Sequence, residues 1–175
     1  PKVSVDKIFA TASVDEKGTL GKLSISGRLL NPTGVDTVSV KIEVKDPQGK
    51  GVATWGNEIK AFFGDKALWE TSFKNPKLWS TESPDLYTIQ TTITSKGDVH
   101  VHQEKIGFRN FEFVKRGPFK LNGKRLLLRG THRHEDHAGV AAALTEEMMR
   151  KEMEQIKAMG ANFIRLGHYQ QSSII

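Results

Sequence analysis

The sequence contains no cysteine among its 175 residues, which excludes disulfide bonds, thiolate nucleophiles and thiol-based zinc sites. It also lacks any run of about 18 apolar residues, so no membrane-spanning helix is predicted. The first residues carry no apolar core of a secretory signal, and in a piece of a longer protein that absence leaves the compartment open. The oligomeric state does not follow from the sequence either.

Basic residues outnumber acidic ones, with 26 Lys and Arg against 20 Asp and Glu and a net charge of +6. Between residues 105 and 133 the sequence has nine Lys or Arg against a single acid, Glu112. A basic balance is typical of nucleic-acid binders. These cations, however, alternate with apolar residues as on a solvated or domain-facing sheet surface, and no recognition motif accompanies them. We therefore expect no nucleic-acid partner.

The first two thirds of the chain show the period of β-strands. Polar and apolar residues alternate over 22–29 and 37–45, and the second run places four residues on one face that we expect to be buried: Val38, Val40, Ile42 and Val44. Further strands are expected at 67–73, 86–95 and 99–107. Short strands at this spacing, without a helical period, predict an immunoglobulin-like antiparallel β-sandwich over residues 1–113.

The pattern changes after residue 114. Asn122-Gly123 lies between two apolar runs and predicts a tight hairpin, because both residues adopt positive φ at little cost. The continuous apolar run 126–128 is predicted to be a strand buried on both faces. A helix is expected after the N-cap candidate Thr145, ending at Gly160, with four apolar residues on one face: Met149, Met153, Ile156 and Met159.

A second strand is expected at 161–166, which completes a strand, helix, strand unit and implies a parallel sheet. Two strands and one helix cannot close a core of their own. Residues 114–175 are therefore predicted to be the N-terminal part of a larger domain, and the chain to be an internal piece of a longer protein.

Histidines follow the two predicted parallel strands. Three of the six come after the first strand, at His132, His134 and His137, and His168 follows the second, close to Arg165. In an α/β barrel these loops lie at the carboxyl ends of the strands, where ligand sites are built. The sequence therefore predicts a site for a polar ligand in these two loops.

Several chemistries are compatible with this loop. Glu135 and Asp136 are rejected as a catalytic carboxylate pair, because sequence neighbours rarely face a sugar from opposite sides. His132 and His134 could be two ligands of a metal-dependent amidohydrolase-like enzyme, although further ligands are lacking. A third alternative is a non-catalytic carbohydrate-binding sandwich that uses Trp79 and Tyr87, although aromatics at these positions more commonly anchor a sandwich edge.

Six motifs in order then resemble glycoside hydrolase family 2, the β-galactosidase, β-glucuronidase and β-mannosidase family. Residues 78–87 resemble its Leu-Trp-x-x-x-x-Pro-x-Leu-Tyr segment, and Gly107-Phe108-Arg109 its Gly-Phe-Arg. The others are Leu121-Asn122-Gly123-Lys124, Leu128-Arg129-Gly130, Arg133-His134-Glu135 and Arg165-x-x-His168-Tyr169.

The resemblance implies a retaining exo-β-glycosidase of carbohydrate metabolism, in which this sandwich precedes a TIM barrel of which the chain holds the first β-α-β unit. It implies that His134, His168 and Asp136 bind the substrate and that Arg165 supports an ionised nucleophile. The general acid/base and nucleophile glutamates are expected outside this chain, so the chain alone is predicted to be inactive. No cofactor or metal ligand set is expected on it, and a cation in the whole protein is left open.

Two positions depart from the galactosidase-like pattern. This chain has His132 where such members usually have Asn, and Gln170 where they usually have Pro. The sugar specificity is therefore left open between β-galactosidase-like and β-glucuronidase-like enzymes.

Overall fold

The computed structural model describes residues 3–31, 34–62, 64–172 and 174. The chain forms two compact units, one made of residues 1–112 with 120–124 and the other of residues 113–119 with 125–175. The domain boundary between residues 113 and 114 stays a prediction.

The first unit is built from long strands: β1 Ser4–Val14, β2 Leu20–Leu30, β3 Thr37–Lys45, β4 Gly51–Lys60, β5 Lys66–Lys74, β6 Tyr87–Ser95 and β7 Asp98–Ile106. They form two antiparallel sheets, ordered β1-β2-β5 and β4-β3-β6-β7. Within each sheet a strand pairs with one that is not next to it in the sequence, β2 with β5 and β3 with β6, as in an immunoglobulin-like sandwich. The predicted fold class is confirmed.

The core of the sandwich follows the alternation along β3. Val38, Val40, Ile42 and Val44 are between 0% and 2% exposed, as expected from their period of two. They belong to one apolar cluster with the inward residues of β2 and β6, among them Ile25 and Ile89. Each such side chain contributes about 1.5–3 kcal/mol to stability on burial, so this cluster is the main source of the unit's cohesion.

Tyr87, the first residue of β6, anchors the corner that leads into this strand. Its side chain is buried, and its hydroxyl accepts a hydrogen bond from the backbone N–H of Lys77 at 2.9 Å. The ring stands edge-on to Phe108, with 5.0 Å between centroids. A buried tyrosine that bonds back to upstream backbone is a recurrent device of such sandwiches. The packing role expected for Tyr87 is thus confirmed.

A small sheet ordered β10-β9-β8 follows, formed by β8 Phe111–Phe113, β9 Phe119–Leu121 and β10 Lys124–Arg125. Between β9 and β10, Asn122 and Gly123 both have positive φ, 50° and 76°. These values fit a tight two-residue turn, and the predicted hairpin is confirmed.

The strand predicted at 126–128 is wrong. Residues 126–129 lie outside the strands, and Leu127 and Leu128 are 66% and 37% exposed. The side chain of Asn162 bonds the Leu127 carbonyl at 3.0 Å and the Arg129 N–H at 2.8 Å. Because an Asn side chain satisfies these two backbone groups, they take no part in a strand ladder.

The second unit contains the β-α-β unit: β11 Gly130–Arg133, α1 Glu146–Ala158 and β12 Phe163–Leu166. β11 and β12 are parallel, with Gly130 opposite Phe163 and Arg133 opposite Leu166. A Cβ at Gly130 would lie 2.5 Å from the Phe163 ring and 3.1 Å from its carbonyl oxygen, so a glycine is needed where the two strands meet. The predicted parallel unit is confirmed.

The helix α1 begins as its sequence predicts. The Thr145 hydroxyl accepts a hydrogen bond from Met148 N–H at 3.3 Å, and Glu146 and Glu147 occupy the first turn. Met149 is buried, whereas Met159, at the C-cap, is 65% exposed and falls outside the packed face. No helix in the described part of the chain is long and apolar enough to cross a membrane.

Candidate functional site

The carboxyl ends of β11 and β12 lie side by side, because the two strands are parallel and in register. The Gly167 N–H donates to the Arg133 carbonyl at 2.9 Å, immediately beyond the last strand pair. His134 is the first residue after β11, and His168 is the second after β12. The two loops therefore start from one edge of the sheet, as predicted.

The structure brings three rings together at this edge. The centroids of His134 and His168 are 5.4 Å apart at an interplanar angle of 65°, and those of His134 and Tyr169 are 6.0 Å apart. All three side chains are exposed. A cluster of exposed imidazole and phenol edges offers hydrogen-bond donors and acceptors to a polar ligand.

Arg165, in β12, lies next to His168. One terminal guanidinium nitrogen, Nη2, is 3.2 Å from Nδ1 of His168. Since a guanidinium can only donate, Nδ1 must be the acceptor in this hydrogen bond. A neutral His168 ring bonded in this way carries its hydrogen on Nε2, so that Nε2 is left to donate to a ligand.

Arg133 is the buried charge of the site, with its side chain 4% exposed. Its guanidinium donates to Glu152 of α1 from Nη2 at 2.8 Å and Nε at 3.1 Å, and to Gln171 from Nη1 at 2.6 Å. The carboxylate of Glu135 is 3.6 Å from Nη1. The end of β11, the middle of α1 and the loop after β12 are thereby joined by one side chain.

Two further bonds connect the loops. The Glu135 N–H donates to the Tyr169 hydroxyl at 2.6 Å, and the Ser172 N–H donates to the Glu135 carboxylate at 3.1 Å. The sequence interpretation gave Tyr169, Gln171 and Glu152 no role. One signal for Arg133 was present in the sequence, because alternation along β11 places its side chain on the face opposite to those of its two chain neighbours. Its partners could not be inferred in this way, since they lie 19 and 38 residues further along the chain.

Not all predicted site residues join the cluster. His132 was expected in the loop, but it lies in β11 opposite Arg165, because the strand begins at Gly130, after the segment held by Asn162. The His137 side chain makes a contact with its own loop instead, with Nδ1 2.9 Å from the carbonyl oxygen of the next residue, Ala138. Asp136 is exposed, and within the described residues it makes no hydrogen bond or ion pair with the histidines.

The arrangement gives no support to a metal centre. Among the residues that the structure describes, no group of three or more His, Asp or Glu side chains could hold a metal ion. The alternative of a sugar-binding sandwich depends on Trp79, which lines a groove of about 460 Å³ in the first unit. There the Arg109 guanidinium stacks over the Trp79 ring at 4.9 Å, so one ring face is already covered.

Solved structures of other proteins resemble this chain over nearly its whole length. A β-glucuronidase of Parabacteroides merdae is 45% identical with a TM-score of 0.93, and the match covers 99% of this chain and 22% of that one. β-Glucuronidase 3 of Bacteroides uniformis is 49% identical with a TM-score of 0.87, over 99% of this chain and 21% of its own. A β-galactosidase of Priestia megaterium is 32% identical over 99% of this chain and 17% of its own.

The chain thus spans about a fifth of the length of these relatives. The model of the glycosyl hydrolases family 2 matches residues 3–109, and the model of that family's TIM barrel domain matches residues 113–174. The first match covers the sandwich and the second the β-α-β unit with its histidines. The chain belongs to glycosyl hydrolase family 2.

Proposed function

We propose that the whole protein containing this chain is a retaining exo-β-glycosidase whose substrates are β-glucuronides. The observation that carries the choice of sugar is that the relatives reported above with 45% identity or more are β-glucuronidases, whereas at 31–32% identity both β-glucuronidases and β-galactosidases occur. The two β-glucuronidases are 45% and 49% identical to the chain, whereas the β-galactosidase is 32% identical. His132 and Gln170, which depart from the galactosidase-like pattern, support the same choice.

His134 and His168 are proposed to bind hydroxyl groups of the sugar in the subsite nearest the reaction. Their rings are exposed, close together and at the end of parallel strands, which is the functional face of a barrel. Hydrogen bonds that strengthen as the oxocarbenium-like transition state forms lower the barrier rather than only improving binding. His168 is suited to this role because Arg165 holds Nδ1 and leaves Nε2 as the donor.

Asp136 and Arg165 have different proposed roles. Asp136 is exposed two residues after His134, free to reach a substrate from the same loop. Arg165 is proposed to favour the ionised form of a nucleophilic carboxylate, as a nearby cation does. That nucleophile and the general acid/base, both glutamates, would come from residues outside this chain.

The test compares sugars. The purified full-length protein is assayed with 4-nitrophenyl β-D-glucuronide and 4-nitrophenyl β-D-galactoside. We expect kcat/KM to favour the glucuronide by about 100-fold or more, because a site built to bind a carboxylate loses those bonds with galactose. The 175-residue chain, assayed in parallel, should hydrolyse neither. Preference for the galactoside would refute the sugar assignment, and hydrolysis of neither sugar by the full-length protein would refute the enzyme class.

A further inference from the structure

A charged side chain is buried beneath the exposed histidines. The Arg133 side chain is 4% exposed, although removing such an ion from water is costly unless it is well paired. It is paired: Glu152 accepts two of its hydrogen bonds and Gln171 a third, while Glu135 is 3.6 Å away. We refer to Arg133, Glu135, Glu152 and Gln171 as the Arg133 network.

The network fixes the loop after β12 against the end of β11. Gln171 accepts from Arg133 Nη1 and donates its own Nε2–H to the Arg133 carbonyl at 3.0 Å, so the two residues are joined in both directions. One position beyond His134, Glu135 binds the backbone N–H of Ser172 and, through its own N–H, the Tyr169 hydroxyl. Both chain neighbours of His134 are therefore tied to the loop that carries His168.

His134 has no comparable anchor of its own. Its side chain is exposed, and within the described residues it makes ring contacts with His168 and Tyr169 but no hydrogen bond. Its place beside His168 is therefore set by the backbone on either side of it. That backbone is held by the Arg133 network, with Glu152 supplying the fixed point on α1.

We infer that Arg133 is a positioning residue, which acts through His134 by holding the two histidine loops at a fixed separation. The effect on catalysis rests on the proposed function, because it requires that the histidines bind sugar. A shift of about 1 Å in a substrate-positioning group can lower the rate by about 100-fold. Lys cannot reproduce the fork with which Arg133 bonds Glu152 and Gln171 at once.

The kinetic test is a double-mutant cycle in the full-length protein with Arg133→Lys, His134→Ala and the double variant. Arg133→Lys should lower kcat/KM by about 10- to 100-fold, and by a factor at least about 3-fold smaller when His134 is already Ala, because one of the two rings that it positions is then missing. Arg150→Lys is the matched control, since Arg150 is exposed and paired with Glu146 on the same helix. The kcat/KM of Arg150→Lys should stay within about 2-fold of the wild-type value.

A second measurement does not depend on catalysis. Hydrogen–deuterium exchange should become faster in 133–137 and 167–172 in Arg133→Lys, because the bonded amides of Glu135, Gly167 and Ser172 lie there. It should not change in Arg150→Lys. If Arg133→Lys does not fold, Gln171→Leu serves instead, since it removes the loop bonds and leaves the ion pair with Glu152 intact.

The two measurements separate the two proposals. If exchange is faster in Arg133→Lys but the wild-type protein hydrolyses no glycoside, the proposed function is refuted and the structural role of Arg133 stands. The inference would be overturned if Arg133→Lys lowered kcat/KM by the same factor in the wild type and in His134→Ala. It would also be overturned if the full-length protein were active and Arg133→Lys left exchange unchanged in both loops.

Discussion

Replacing Glu104 with Gln should stabilise the sandwich at neutral pH. Glu104 lies in β7 opposite Ile89, so its side chain shares the face of β6 that packs in the core. It is half-buried, and its Oε1 is inaccessible and has no hydrogen-bond partner among the residues that the structure describes. His100 and His102 lie on the same face of β7, towards its start. Burial without a partner raises the pKa of Glu104 above its ordinary 4.5.

The direction of the pH dependence follows from this shift. Between the ordinary value of 4.5 and the raised folded value, the folded state binds more protons than the unfolded state, so the free energy of unfolding falls as the pH rises. Above that window the full penalty of an ionised, half-buried carboxylate is present. An unpaired buried polar group costs about 1–3 kcal/mol. Because Glu104 is only half-buried, we expect Gln to gain about 1 kcal/mol at pH 7, at the low end of that range.

The sandwich can be followed selectively, because all three tryptophans of the chain, at positions 55, 69 and 79, lie in the first unit. Urea unfolding of the 175-residue chain is measured by tryptophan fluorescence between pH 3 and pH 8. Glu58→Gln, at an exposed position of β4, is the control with the same change in charge. The free energy of unfolding of Glu104→Gln should exceed that of both the wild type and the control at pH 7, and it should equal that of the wild type in acid. A destabilised Glu104→Gln protein at pH 7, or a gain that is equal at all pH values, would refute the reasoning.

Two further predictions concern the full-length protein. His134→Ala and His168→Ala should each lower kcat as well as raise KM, by roughly 10- to 1,000-fold in kcat/KM, and a chelator should not change these constants; near wild-type kinetics in both variants would contradict sugar binding. Arg165→Ala should move the acidic limb of the pH profile of kcat/KM to higher pH, because a carboxylate that loses a cationic partner is harder to ionise; an unmoved limb would remove Arg165 from the nucleophile's surroundings.

Local patterns in the sequence predicted most of the elements. The alternation along 37–45 located β3 and its buried face, and Asn122-Gly123 located the hairpin, because both signals depend on residues only a few positions apart. The same holds for Thr145 at the start of α1. β4 was not located, since Gly56 and Asn57 interrupt its pattern and its pairing with β3 decides the strand.

Tertiary structure decided which face of β7 is buried and whether residues 126–128 form a strand. Alternation alone would turn Val99 and Val101 to the core, yet they are 61% and 50% exposed, while Glu104 shares the inner face. The register with β6 fixes that orientation, and a strand cannot change face without shifting by one residue. In the same way, the Asn162 side chain, which lies far along the chain, bonds the Leu127 carbonyl and the Arg129 N–H in place of a neighbouring strand.

The histidine site was likewise predicted in part from local sequence and decided in part by tertiary structure. The positions of His134 and His168 after parallel strands followed from the sequence, because the ends of neighbouring strands must meet at one edge of a sheet. Their separation did not, since it depends on Arg133, whose partners Glu152 and Gln171 lie 19 and 38 residues along the chain. Periodicity and turn chemistry act over a few residues and can be read from the sequence. The pairing of a buried charge across three elements is set only when the chain has folded, because burial is what makes an unpaired guanidinium costly.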